Sequence, residues 1–103
     1  SALYIKIHKT ETGLTESEWS ELGLLIDATY SDFSKRIFDL SPYVSTEELR
    51  VCYLVKIGIP VKKIASLMRL TSSGVTQCRK RLYKKLTHEP ESTEKFDQFI
   101  ADL

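Results

Sequence analysis

The residues of this 103-residue chain that could do chemistry gather between Pro60 and Leu86. Lys62, Lys63, Arg69, Arg79, Lys80, Arg81, Lys84 and Lys85 lie there with no Asp or Glu among them. The rest of the chain is acidic: residues 1–59 carry a net charge of −3 and residues 87–103 carry −4, against +8 for residues 60–86. The overall charge of +1 hides this sorting. A protein that segregates its charges has a polarised surface, and the cationic part is expected to face something anionic. Interleaved with the cations are Ser72, Ser73, Thr76 and Gln77. Long cations reach phosphates and short hydroxyls and amides reach base edges, so the mixture points to a nucleic-acid surface.

Other chemistries find less support. His8 and His88 are far apart in sequence, and Cys52 and Cys78 lack metal-ligand spacing. There is no Gly-rich phosphate loop and no nucleophile elbow. No catalytic residue, metal site or cofactor is therefore expected, and an enzyme is not. Glu47-Glu48 reads as a pair of first-turn helix acids stabilised by the dipole. Both cysteines fall at apolar positions of expected helices, as small buried thiols of a reducing, cytoplasmic compartment would. No apolar run approaches the roughly 18 residues of a membrane span, so no membrane contact is expected of this segment. Ser1-Ala2, with no initiator Met, reads as a cloning remnant on a trimmed chain, and a larger protein is expected upstream.

One core of modest size is what this length supports, and the elements expected around it are all helical. Residues 1–13 form an N-terminal segment in which Leu3 to Lys9 fits either a strand or a helical face, the latter favoured because no partner strand is visible. Residues 14–42 hold a helical pair. Thr15 and Glu18 make a capping box, followed by Trp19, Leu22, Leu25, Ile26 and Tyr30 at helical spacing. A short second helix after Ser31 or Asp32 would bury Phe33, Ile37, Phe38 and Leu40, and Ser41-Pro42 would end it.

Residues 45–86 read as three helices with two short breaks. Ser45 and Glu48 form a second capping box, and Gly58 and Pro60 mark a stop and a start. Ile64, Ala65 and Met68 face inward on the short middle helix, with Ala65 small where two helices cross. Thr71 or Ser72 caps the third, on which Val75, Cys78, Leu82 and Leu86 face the core. Ser73, Thr76, Gln77, Lys80 and Lys84 form its opposite row, flanked by Arg79, Arg81 and Lys85. A helix divided in this way is what insertion into a DNA major groove requires. Residues 87–103 form a polar link and a last helix with a Phe96, Phe99, Ile100 and Leu103 stripe. That stripe is expected to pack on the domain, the alternative being a homodimer through this helix.

Three segments carry a family resemblance: Gly58-Ile59-Pro60-Val61-Lys62-Lys63-Ile64-Ala65, Leu70-Thr71-Ser72-Ser73-Gly74-Val75 and Arg81-Leu82-Tyr83-Lys84-Lys85-Leu86. In this order and spacing they resemble the LuxR-type and sigma factor region 4 class of helix-turn-helix. Together with the Trp19 helix and the Tyr30 to Phe33 segment, they look like the C-terminal part of Bacteroidetes transcriptional regulators, which often carry tetratricopeptide or sensor regions upstream. The resemblance implies an all-α domain with a LuxR-like, winged-helix-superfamily tri-helical core, in a bacterial, cytoplasmic protein. It implies sequence-specific binding of double-stranded DNA as the output domain of a regulator. By the same resemblance Thr76, Gln77 and Lys80 would read bases, and Lys62, Lys63, Thr71, Ser72, Ser73, Arg79, Arg81 and Lys84 would hold phosphates. LuxR-type domains often have Lys where Thr76 stands and an acid or Gly among Ser72-Ser73, so their target sequence does not carry over. The rival readings are a protein-interaction module on a degenerate helix-turn-helix scaffold, and a sigma region 4-like domain contacting promoter and RNA polymerase.

Overall fold

Side-chain caps set most of the helix starts. Thr15 and Glu18 exchange hydrogen bonds of 3.1 and 2.8 Å, as do Ser45 and Glu48, so both expected capping boxes form in full. Ser1, Thr71 and Ser92 each accept from an amide three residues on. The computed structural model describes all of residues 1–103. It contains seven helices and no strand: α1 (Ala2–Lys9), α2 (Glu16–Thr29), α3 (Phe33–Leu40), α4 (Thr46–Lys56), α5 (Val61–Met68), α6 (Ser72–Thr87) and α7 (Thr93–Asp102). Leu3 to Lys9 is thus helical, with Leu3 and Ile7 buried. None of the seven is long and apolar enough to cross a membrane.

α4 is the hub. It packs against α2, α5, α6 and α7, which is why four successive residues, Val51 to Leu54, are buried. The radius of gyration is 12.8 Å, close to the ~13 Å of a 100-residue single domain. Phe96 and Ile100 of α7 are completely buried, and α7 lies against α4 and α6. The stripe considered for self-association is therefore covered in part within the chain, with Phe99 and Leu103 half-buried. Lys56 donates to the carbonyls of Ile100 (3.2 Å) and Ala101 (3.0 Å), satisfying the carbonyl end of α7 with a cation, and its ammonium lies 4.7 Å from the Tyr30 ring centroid.

The structure corrects several expected core positions. Phe38 and Leu40 are 39% and 40% exposed, because α3 is only two turns long and buries one narrow face through Phe33 and Ile37. Ser41 and Val44 beyond its end are buried instead. On α2, Leu25 faces outward and Gly23 is buried. An added Cβ at Gly23 would stand 3.0 Å from the Tyr53 hydroxyl, which Ser34 holds at 2.6 Å. On α5, Leu67 takes the buried place expected of Met68, which is half-buried.

Three connections put non-glycine residues at positive φ. Ser31 (50°) and Asp32 (58°) do so between α2 and α3, Arg69 (56°) between α5 and α6, and His88 (62°) between α6 and α7. The first is held by Arg36, which donates to the Tyr30 and Ser31 carbonyls at 2.6 and 2.9 Å, and by the Asp27 carboxylate, which accepts from the Ser34 amide at 2.7 Å. These bonds offset the steric cost of the left-handed region.

Ala65 is buried where α5 packs on α6. Ala65→Leu should overpack this crossing and lower stability by about 1–3 kcal/mol in urea unfolding. An unchanged midpoint would mean that the crossing has room for a larger side chain.

Candidate nucleic-acid interface

α6 is 16 residues long and has two faces by construction. Val75, Cys78, Leu82 and Leu86 are buried, as expected from their spacing. On the opposite side Ser73, Gln77 and Lys84 are exposed and Thr76 and Lys80 are half-buried. None of these five side chains takes part in the hydrogen bonds that α6 makes within the chain. Thr71 caps the helix by accepting from the Gly74 amide at 2.9 Å, which leaves its hydroxyl proton free. Ser72 and Ser73 follow on the exposed first turn. The base-reading positions inferred from sequence, Thr76, Gln77 and Lys80, thus lie on one side of α6 with no side-chain bond inside the chain. Lys62, on α5, is exposed and likewise makes no bond within the chain.

The other cations are disposed differently. Lys63 donates to the Thr10 carbonyl at 2.7 Å and Arg69 to that of Thr12 at 3.1 Å, so both clasp the α1–α2 loop. Arg79, expected to be a flanking phosphate contact, is only 8% exposed. Its Nε and one terminal nitrogen hold the two carboxylate oxygens of Asp97. The reason is its angular position, four residues beyond Val75, which turns it into the α6–α7 seam. Asp97 supplies the charge that makes burial tolerable. Arg79 therefore ties α7 to α6 and has no free fork to offer a phosphate.

Arg81 and Lys85 converge on Glu48. Arg81 Nε lies 3.0 Å from one carboxylate oxygen, and Lys85 Nζ lies 2.8 and 3.1 Å from the two. Glu48 is 4% exposed. Burial alone would push its carboxyl up, but Lys85, the Ser45 amide and Arg81 outweigh that and hold it at about 2. Glu48 in turn raises the Arg81 guanidinium. The sequence marks Glu48 only as a capping and first-turn residue, and Asp97 not at all. Their partners lie 33 and 37, and 18, residues away in the chain, beyond any local pattern.

Both cysteines are free and buried, and burial pushes their thiols up, Cys52 the more strongly. They are packing groups, with little thiolate at neutral pH. Beside the Glu48 cluster lies a cavity of about 360 Å³ lined by Glu47, Val51, Met68, Leu70, Gln77 and Arg81 among others. No known protein family, characterised protein or solved structure matches this chain.

A carboxyl held below its ordinary value favours the folded state only while it is ionised. The contribution of Glu48 is fully present above the ordinary glutamate pKa of about 4.3 and is lost as pH falls towards about 2. Glu48→Gln should lower stability at neutral pH by roughly 1–3 kcal/mol and flatten the loss of stability with acid. Some acid dependence should remain, because Lys6 and then the Thr15 amide hold Glu18 low as well. Urea unfolding between pH 7 and 2.5 measures both effects. A parallel pH curve for the variant would show that Glu48 is not the group responsible.

Proposed function

We propose that this domain binds double-stranded DNA with α6 in the major groove, as the sequence-reading output domain of a transcriptional regulator. On this reading α4, α5 and α6 form a LuxR-like tri-helical core, with no strand and hence no wing. The observation that carries the proposal is the unpartnered polar row Ser73, Thr76, Gln77, Lys80 and Lys84 on the outer face of a helix whose inner face is core. Gln77 has the paired donor and acceptor that fit an adenine edge, and Lys80 suits guanine O6 or N7. Thr71, Ser72 and Ser73, on the first turn, suit a phosphate at the positive end of the helix. Lys62 and Lys84 are free to flank them. Lys63 could contribute only through space or by releasing Thr10.

The rival is a protein-interaction module. In its favour, five of the eight cations of residues 60–86 have partners inside the protein, and Tyr4, Ile5, Leu24 and Leu25 are exposed on α1 and α2. Salt separates the two readings. Binding to a mixed-sequence duplex should weaken as salt rises, with a log–log slope of about −0.9 per phosphate contact. Replacing Lys62, Lys80 and Lys84 by Ala should shrink that slope by roughly 2–3 units. No binding at low salt would remove the DNA reading.

Specificity is separable from affinity. Gln77→Ala with Lys80→Ala should abolish discrimination among duplexes selected from a random pool, and the thermal melt should stay nearly unchanged because neither side chain is buried. Discrimination that survives this pair would move base reading elsewhere on the domain.

A further inference from the structure

Arg79 and Arg81 are two residues apart on α6, and both meet a carboxylate, but they meet it differently. Arg79 is buried and spends Nε and a terminal nitrogen on Asp97. Arg81 spends Nε alone on Glu48 Oε2, at 3.0 Å, and 55% of its side chain is exposed. Its two terminal nitrogens have no partner within the chain, and the exposed Glu91 acts on it only through space. The carboxylate it leans on is fixed. Glu48 is buried, its Oε1 is bound by the Ser45 amide at 2.8 Å and by Lys85 at 2.8 Å, and it stays ionised throughout the physiological range. Arg81 also stands one helical turn after Gln77, and both line the same cavity.

We propose that Glu48 is a positioning residue that holds Arg81 by Nε so that the outer fork of the guanidinium is presented to a DNA phosphate beside the Gln77 edge of α6. The inference rests on the reading of α6 as a DNA-binding helix and adds to it a role for a buried acid. A guanidinium can serve two anions at once, because its five donors lie in one rigid plane. Held in advance, it loses less freedom on binding than a free side chain would. Lysine at this position could not do the same, since its single ammonium would have to choose between Glu48 and the phosphate. Lys85 makes the comparison within this chain: its ammonium bonds both oxygens of Glu48, and only 29% of its side chain is exposed.

The test turns on a difference of sign. Glu48→Gln removes an anion from beside a polyanion, so charge counting alone predicts tighter DNA binding. Positioning predicts weaker binding, by roughly three- to ten-fold at fixed salt, the effect of releasing one ordered side chain. Affinity for a mixed-sequence duplex would be measured by fluorescence anisotropy for the wild type, Glu48→Gln, Arg81→Ala and the double variant, with circular dichroism confirming the fold of each. The loss caused by Glu48→Gln should vanish in the Arg81→Ala background, because Glu48 acts through Arg81. Should Glu48→Gln fail to fold, Arg81→Lys carries the test on the exposed partner: it keeps the charge and should nevertheless bind as weakly as Arg81→Ala. Equal or tighter binding by Glu48→Gln, a loss that persists without Arg81, or wild-type affinity in Arg81→Lys would each overturn the proposal while leaving α6 as the DNA helix. A wild-type domain that binds no duplex at low salt would overturn the DNA reading itself, and this role with it.

Discussion

One buried carboxylate joins the beginning of the central helix to the far end of the outer one. Glu48 completes the capping box of α4 through the Ser45 amide and binds Arg81 and Lys85 of α6. A lone ionised carboxylate in so dry a position would be too costly to keep, and its pKa would rise until it neutralised. Here Lys85, the Ser45 amide and Arg81 outweigh burial and hold the carboxyl at about 2. Three charged or polar donors answer a single acid, and the helix that supplies two of them is thereby fixed in rotation against α4. The rotation matters because α6 has only one correct phase. With Val75, Cys78, Leu82 and Leu86 inward, the row through Gln77 and Lys80 must point to solvent.

The charge segregation of the chain takes on a different meaning once its partners are known. Eight cations without an intervening acid imply an external anion, yet part of that anion is internal. Glu48 comes from the segment before and Asp97 from the segment after, and backbone carbonyls of Thr10 and Thr12 take two more cations. The acidic flanks thus hold the basic segment in place as well as balancing its charge. Lys62, Lys80 and Lys84 are left without partners, together with the outer half of Arg81. That is a smaller charge than the sequence displays, and it is placed along one side of α6 and the adjacent start of α5.

Local signals were fully legible in the sequence. Both capping boxes, the Gly58 stop with its φ of +80°, the start after Pro60 and the buried row of α6 depend on residues within about one turn of each other, and all were readable from spacing. The strand alternative for Leu3 to Lys9 was open because so short a segment gives too few periods to separate 2.0 from 3.6. Phe38, Leu40 and Leu25 misled for another reason. Periodicity identifies an apolar face, but the width of the face that is covered depends on the neighbour, and α3 has only a narrow one. The roles of Arg79, Arg81, Lys63 and Arg69 were illegible in principle. Each is fixed by a partner 18 to 57 residues away, and a cation in a sequence looks the same whether it faces water or a carboxylate.

This division of the cations bears on how a reader built on α6 could discriminate. Phosphate contacts are blind to sequence, so an abundance of free Lys and Arg would raise affinity for all duplexes equally. Anchoring Arg79 and Lys85 on carboxylates removes them from that indiscriminate term. It leaves the uncharged Thr76 and Gln77 and the single cation Lys80 at the centre of the outer polar row, where, on the proposed reading, a wrong base would leave a hydrogen-bonding group unpaired. On the proposed reading, the cost would be a weak single module. Half-site pairing is the usual remedy for weakness in a helix-turn-helix, and it needs a second surface. The α7 stripe is buried at Phe96 and Ile100 and half-buried at Phe99 and Leu103, so two copies pairing through α7 would have only the outer part of that stripe to share. Of the remaining apolar surface, Tyr4, Ile5, Leu24 and Leu25 lie on α1 and α2, in the part of the chain that carries none of the outer polar row of α6.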